Sequence, residues 1–142
     1  MKLSHLRFIG FGLILSCSHL MPDNWRAFEG EIPQLKALVI SAVESSGFSP
    51  YDSANRKSQV TSEWKYSQTD SLHRQRQRVT VTWEFNALEG AIVIYVRHEA
   101  QNIETDIGLG LQYRATSPDN NLESQILEDL SKRILNSNPD SF

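Results

Sequence analysis

The stretch from Arg76 to Phe85 does most to limit what this chain can fold into. Val79, Val81, Trp83 and Phe85 alternate with Arg78, Thr80, Thr82 and Glu84. A period of two places the two sets on opposite faces of an extended backbone, so this is a strand with one buried and one wet face. Asn86-Ala87-Leu88-Glu89-Gly90 follows, a connection of hairpin length in which Gly90 is free to take a positive φ. The next run, Ala91-Ile92-Val93-Ile94-Tyr95-Val96, is apolar on both faces. A strand of that kind belongs in the middle of a sheet. The chain is thereby committed to an antiparallel sheet.

The remaining elements arrange themselves around that hairpin. From Gln59 to Ser67, Val60, Ser62, Trp64 and Tyr66 share one face while Thr61, Glu63 and Lys65 point away, and Thr69-Asp70-Ser71 makes a polar turn. Ile107, Leu109, Leu111 and Tyr113 alternate with Gly108, Gly110 and Gln112, which predicts a fourth strand whose glycines mark a bulge, an edge or a close approach. Ile32 to Ser46 has helical spacing in Leu35, Leu38, Val39, Ala42 and Val43, with Pro33 suited to the first turn and Gly47 to the stop. A second helix is predicted from Asn121 to Leu135, with a stripe of Leu122, Ile126, Leu127, Leu130 and Ile134. Asn120 serves as its cap, and Glu123 completes a capping-box-like pattern. The expected fold class is α+β, a two-layer sandwich ordered α-β-β-β-(β)-α, with an antiparallel sheet of three or four strands and two helices on one face. It occupies residues 32–135, and the polar residues 136–142 are expected to be disordered.

The first seventeen residues carry a different kind of information. Lys2 and Arg7 supply positive charge, Phe8 to Leu15 is a short apolar run, and Ser16-Cys17 follows. This order is that of a secretory signal. The apolar run has eight residues, well short of the roughly 20 that a membrane-spanning helix needs. Ile14-Leu15-Ser16-Cys17 resembles the lipobox of bacterial lipoproteins. That resemblance implies a signal peptide over 1–16, acylation of Cys17 with the three chains such proteins typically receive, and a lipidated tether over 17–31. Ser18 after the cysteine, rather than aspartate, implies an outer-membrane destination facing the periplasm. Stable anchoring takes more than one chain, so three would hold the domain at the membrane.

Composition narrows the partners. Cys17 is the single cysteine, so no intrachain disulfide is expected and the core must hold the fold unaided. Cleavage before Cys17 would remove two of fourteen basic side chains, leaving twelve against seventeen acidic ones, a net charge of −5. Nucleic acid is therefore not expected as a partner, because phosphate backbones call for concentrated positive charge. The element order also resembles small lipid-anchored domains of outer-membrane assembly machines, in architecture alone. No functional residue is carried over from them.

Four groups of residues bear on chemistry. Arg74, Arg76 and Arg78 occupy alternate positions and project from one strand face, where they suit carboxylates, lipid headgroups or peptidoglycan. The plainer reading is a solvated strand whose arginines pair across to acids such as Glu63. His19, His73 and His98 show no metal-ligand spacing, so neither a metal nor any other cofactor is expected. No G-x-S-x-G is present and no catalytic residue is assigned, so an enzyme is not expected. Gly108 and Gly110 lack the third glycine of a dinucleotide loop, the position being Tyr113, and suit an edge strand able to pair with another chain. The expectation is a non-catalytic, lipid-anchored envelope protein serving as a structural or accessory subunit of a larger outer-membrane or periplasmic complex. The alternative is a binding module for a small amphiphile or envelope glycan between sheet and helices, lined by Trp64, Tyr66, Trp83 or Tyr95.

Overall fold

The computed structural model describes residues 24–51, 56–70 and 73–137. In chain order its elements are β1 (Trp25–Glu29), α1 (Leu35–Ser45), β2 (Pro50–Tyr51), β3 (Gln59–Ser62), β4 (Lys65–Gln68), β5 (Arg74–Asn86), β6 (Ala91–Asp106), β7 (Gly110–Ala115) and α2 (Asn120–Ser137). The signal segment and Cys17 lie outside the described residues, as do residues 138–142.

The fold is α+β, built on one seven-stranded sheet whose strand pairings are all antiparallel. The expected sandwich of three or four strands under two helices is corrected in two respects. Three additional strands come from β1, β2 and the division of the first predicted strand into β3 and β4. The ribbon of β5 and β6 also outruns the helices. Its inner half lies in the order β1-β6-β5-β3-β2, while β4 and β7 flank its outer half. The core cluster draws on α1, α2, β3, β5 and β6, and no residue of β4 or β7 belongs to it. The outer half is a four-stranded arm, β4-β5-β6-β7.

The inner half follows the sequence pattern closely. Val79, Val81, Ile94 and Val96 are fully buried against Val39 and Val43 of α1 and Leu127 and Leu130 of α2. At about 25 cal/mol per Å² of apolar surface removed from water, each such side chain stabilises the fold by roughly 1.5–3 kcal/mol. The β5–β6 turn has Gly90 at φ 62°, as expected. Gly47 (φ 86°) ends α1, with its N–H and that of Phe48 bonded back to Glu44 and Val43 carbonyls. The doubly apolar strand β6 is not the middle one: it lies second in the order, between β1 and β5, and also pairs with β7, while β5 holds the middle place.

β1 departs from the expected tether. Trp25 to Glu29 pairs with Tyr95 to Ala91, and Arg26 donates to Ser131 Oγ on α2 at 2.8 Å. Five residues without a sustained period become an edge strand because β6 presents an unpaired ladder there, and buried backbone groups must find partners.

The start of α2 also differs from expectation. Asp119, not Asn120, caps it: Asp119 Oδ1 accepts the N–H groups of Asn121 (3.0 Å) and Leu122 (3.2 Å). Glu123 does not close a capping box. It is buried, and its Oε1 accepts the His98 N–H at 2.8 Å, tying α2 to β6. His98 holds the same junction from its ring: Nδ1 accepts the Asp119 N–H at 2.9 Å, which fixes the tautomer so that Nε2–H donates to Gln77 Oε1 at 3.0 Å.

Candidate functional site

The arm exists because of a single extra residue. Thr61 pairs with Thr80, so an uninterrupted register would bring Lys65 opposite Arg76; Lys65 instead pairs with Gln77, and Tyr66 takes Arg76. One inserted residue across Glu63 and Trp64 is a bulge, and a one-residue shift transfers every later side chain to the other face of the sheet. Val60 and Ser62 therefore face the core, whereas Trp64 and Tyr66 face the opposite side. The expectation that all four share a face is corrected. Ser62 closes the gap: it is buried, its Oγ accepts the Val79 N–H at 2.9 Å and donates to the Glu63 carbonyl at 2.9 Å.

Burial on β6 changes face at the same level. His98 and Ala100 are buried on the core side, yet Asn102 on that side is exposed and Ile103 on the other is buried. The arm thus has its own packed surface, on the side away from the helices. Register pairs join Arg76 to Gln101, Arg74 to Ile103 and Ile103 to Tyr113 on that side.

Arg74, Arg76 and Arg78 all project there, and the structure distinguishes them. The Arg76 guanidinium is sandwiched, 3.6 Å from the Tyr113 ring centroid and 4.2 Å from that of Trp64, and its Nε donates to Gln101 Oε1 at 2.8 Å. Arg78 stacks on the same indole at 4.4 Å and donates from Nε to Glu99 Oε2 at 2.6 Å. Arg74 is exposed and borders a hollow of about 480 Å³ with Tyr66, Ile103, Leu111 and Tyr113. Guanidinium–aromatic stacking is worth about 0.5–1 kcal/mol at exposed sites and more when water is excluded. Two of the three arginines are accordingly held in place before any partner arrives. The acid opposite Arg78 is Glu99, not Glu63, because the bulge takes Glu63 out of register.

Glu99 also receives Arg97 Nη2 at 2.6 Å. Burial of this carboxyl works against its ionisation, but hydrogen bonds and charge from Arg78 and Arg97 outweigh that and hold it below the usual carboxylate range. On the same face, burial and then the Glu84 carboxylate, which accepts its hydroxyl at 3.3 Å, push the Tyr95 phenol up.

Trp83 packs against the core, while Trp64, Tyr66 and Tyr95 register on the far side of the sheet, so these four do not line one cavity between sheet and helices. His73 is an exposed turn residue bound to Asp70 at 2.7 Å. Among the described residues no cluster of three metal-ligating side chains occurs and no helix is long and apolar enough to cross a membrane. Gly110 (φ 76°) opens β7, which is an edge strand, and Ile107 and Leu109 at its tip are exposed. Sequence reading missed Tyr113 as a partner of Arg76, since only register brings strands 37 residues apart in sequence together.

No protein-family model and no curated protein matches this sequence.

Proposed function

We propose that this is a non-catalytic envelope protein, anchored through acylated Cys17 at the outer membrane and facing the periplasm. In this role it docks an acidic face of a larger envelope complex as an accessory subunit. The observation that carries the docking reading is the row Arg74, Arg76 and Arg78 on a sheet face free of helices, with Arg76 clamped between Trp64 and Tyr113. A guanidinium already ordered loses less entropy on meeting a carboxylate, so a preorganised row binds more tightly than the same charges on a flexible loop. Trp, Tyr and Arg are also the residue types enriched among the few that carry most of the binding energy at protein interfaces. The membrane anchor rests on Lys2, Arg7, the apolar run and Ile14 to Cys17. It raises the effective concentration at the membrane, so a modest contact suffices.

The test is affinity capture from gently solubilised envelopes with wild type, Cys17→Ser and the Arg74→Gln/Arg76→Gln pair. A defined set of envelope proteins is expected with wild type, depleted in Cys17→Ser and weakened by the arginine pair at moderate salt. Equal recovery with the arginine pair would discard the arm as the docking face.

A further inference from the structure

A second feature of the helix-free face lies nearer the middle of the molecule and shares Arg78 with the arginine row. Register places Tyr51, Thr61, Thr80 and Arg97 in one row across β2, β3, β5 and β6. Two short threonines lie between longer side chains, so the row is concave. Tyr51, Arg56, Gln59, Arg78, Arg97 and Glu99 complete a pocket of about 390 Å³, within the size range of small-molecule sites.

Its hydrogen bonds run in one direction. Arg56 Nη1 donates to Gln59 Oε1 at 2.8 Å, and Gln59 Nε2 donates to Thr61 Oγ1 at 3.0 Å. Thr80 Oγ1 donates to the same oxygen at 3.3 Å. A hydroxyl has two acceptor lone pairs and one proton; with both lone pairs of Thr61 engaged, its O–H is left to donate. Among the described residues, the pocket therefore holds three guanidiniums and a threonine donor against one carboxylate, Glu99. Each guanidinium has five N–H groups, and Glu99 engages Nε of Arg78 and Nη2 of Arg97, leaving donors to give. Three positive charges and one negative leave an excess of two.

We infer that this pocket binds a phosphoryl group carried on a compact polar body such as a sugar. A phosphate monoester brings close to two negative charges and three acceptor oxygens at neutral pH, which matches both the charge excess and the donor set. A lone carboxylate offers half that charge and resembles what Glu99 already supplies. The volume exceeds a bare phosphate, and the exposed Tyr51 ring at the rim presents a flat apolar surface for the attached ring. The same phosphoryl chemistry occurs on soluble phosphosugars and on lipid headgroups.

The experiment titrates the full-length purified chain with glucose 1-phosphate and with glucose, following backbone amide shifts. A parallel arm measures retention on phosphatidylcholine vesicles with and without phosphatidic acid. Shifts at Thr61, Thr80, Arg97 and Glu99 are expected with glucose 1-phosphate and not with glucose. Arg56→Gln and Arg97→Gln should each weaken binding about tenfold, and Thr61→Val, which keeps the branched shape, should weaken it without altering the spectrum elsewhere. Binding only to phosphatidic acid vesicles, lost in the same variants, assigns the phosphoryl to a lipid headgroup; binding of soluble glucose 1-phosphate assigns it to a phosphosugar. Absence of both, or equal binding by Arg56→Gln and Arg97→Gln, overturns the inference. Capture of envelope proteins by Arg56→Gln reads the docking surface separately, since Arg56 lies outside the arginine row and bonds to Gln59.

Discussion

Ser62 shows how much a single hydroxyl can decide. The bulge at Glu63 and Trp64 breaks the ladder beside a buried stretch of β5, and Ser62 Oγ supplies the acceptor that Val79 N–H would otherwise lack. Ser62→Ala leaves that buried donor unpaired and is expected to cost about 1–3 kcal/mol. Ser67→Ala, on the exposed β4, should change the urea midpoint little. Glu99 gives a prediction in pH. Its carboxyl is held below the usual range in the folded chain, so the ionised form is favoured more by the folded than by the unfolded state. That contribution is fully present above the unfolded carboxylate range and disappears as pH falls through the lower folded value. Urea denaturation of wild type and Glu99→Gln should therefore show a stability gap near neutrality that narrows on acidification. A gap independent of pH would contradict the Arg78–Glu99–Arg97 arrangement.

Helix α2 illustrates the element scale. Its apolar stripe is explicit in the sequence, and Ile126, Leu127, Leu130 and Ile134 are buried as that stripe requires. Its start is less explicit, because Asp119 and Asn120 are adjacent and both are good caps. The choice is made by His98, whose Nδ1 holds the Asp119 N–H and sets the backbone at that residue. Glu123, drawn to the His98 N–H, is then unavailable for a capping box. Asp119→Ala should lower stability by about 1 kcal/mol, while Asn120→Ala should cost only a few tenths. Thermal or urea melts of the two variants read the difference directly, and the reverse order would return the cap to Asn120.

At the scale of the whole molecule the sheet is one hydrogen-bonded unit with two unequal supports. The inner half of β5 and β6 is sealed by helices; the arm depends on edge strands β4 and β7 and on the Trp64–Arg76–Tyr113 stack. Segments with fewer buried apolar contacts open at lower free energy than the core. Amide hydrogen exchange should consequently divide β6 within its own length, slow at Ile94 and Val96 and faster from Asn102 to Asp106. Uniform protection along the strand would mean that the arm is as cooperative as the core.

The local elements were legible because they follow from periods along the chain: the alternation at Arg78 to Phe85, the doubly apolar Ala91 to Val96, the helical stripes, and glycines at 47 and 90 where positive φ was needed. These depend on neighbours a few residues apart. Strand count, the face occupied by Trp64 and Tyr66, and the identity of each arginine's partner depend on register. Register turns on one inserted residue that alternation alone does not betray, since Val60, Ser62, Trp64 and Tyr66 keep a period of two through the bulge. An α+β chain with an arginine row on a strand thus follows from local periods alone. That the row lies on the helix-free side, with Arg76 and Arg78 stacked on Trp64, Arg76 also on Tyr113, and a pocket built from four strands beside it, follows only from long-range register.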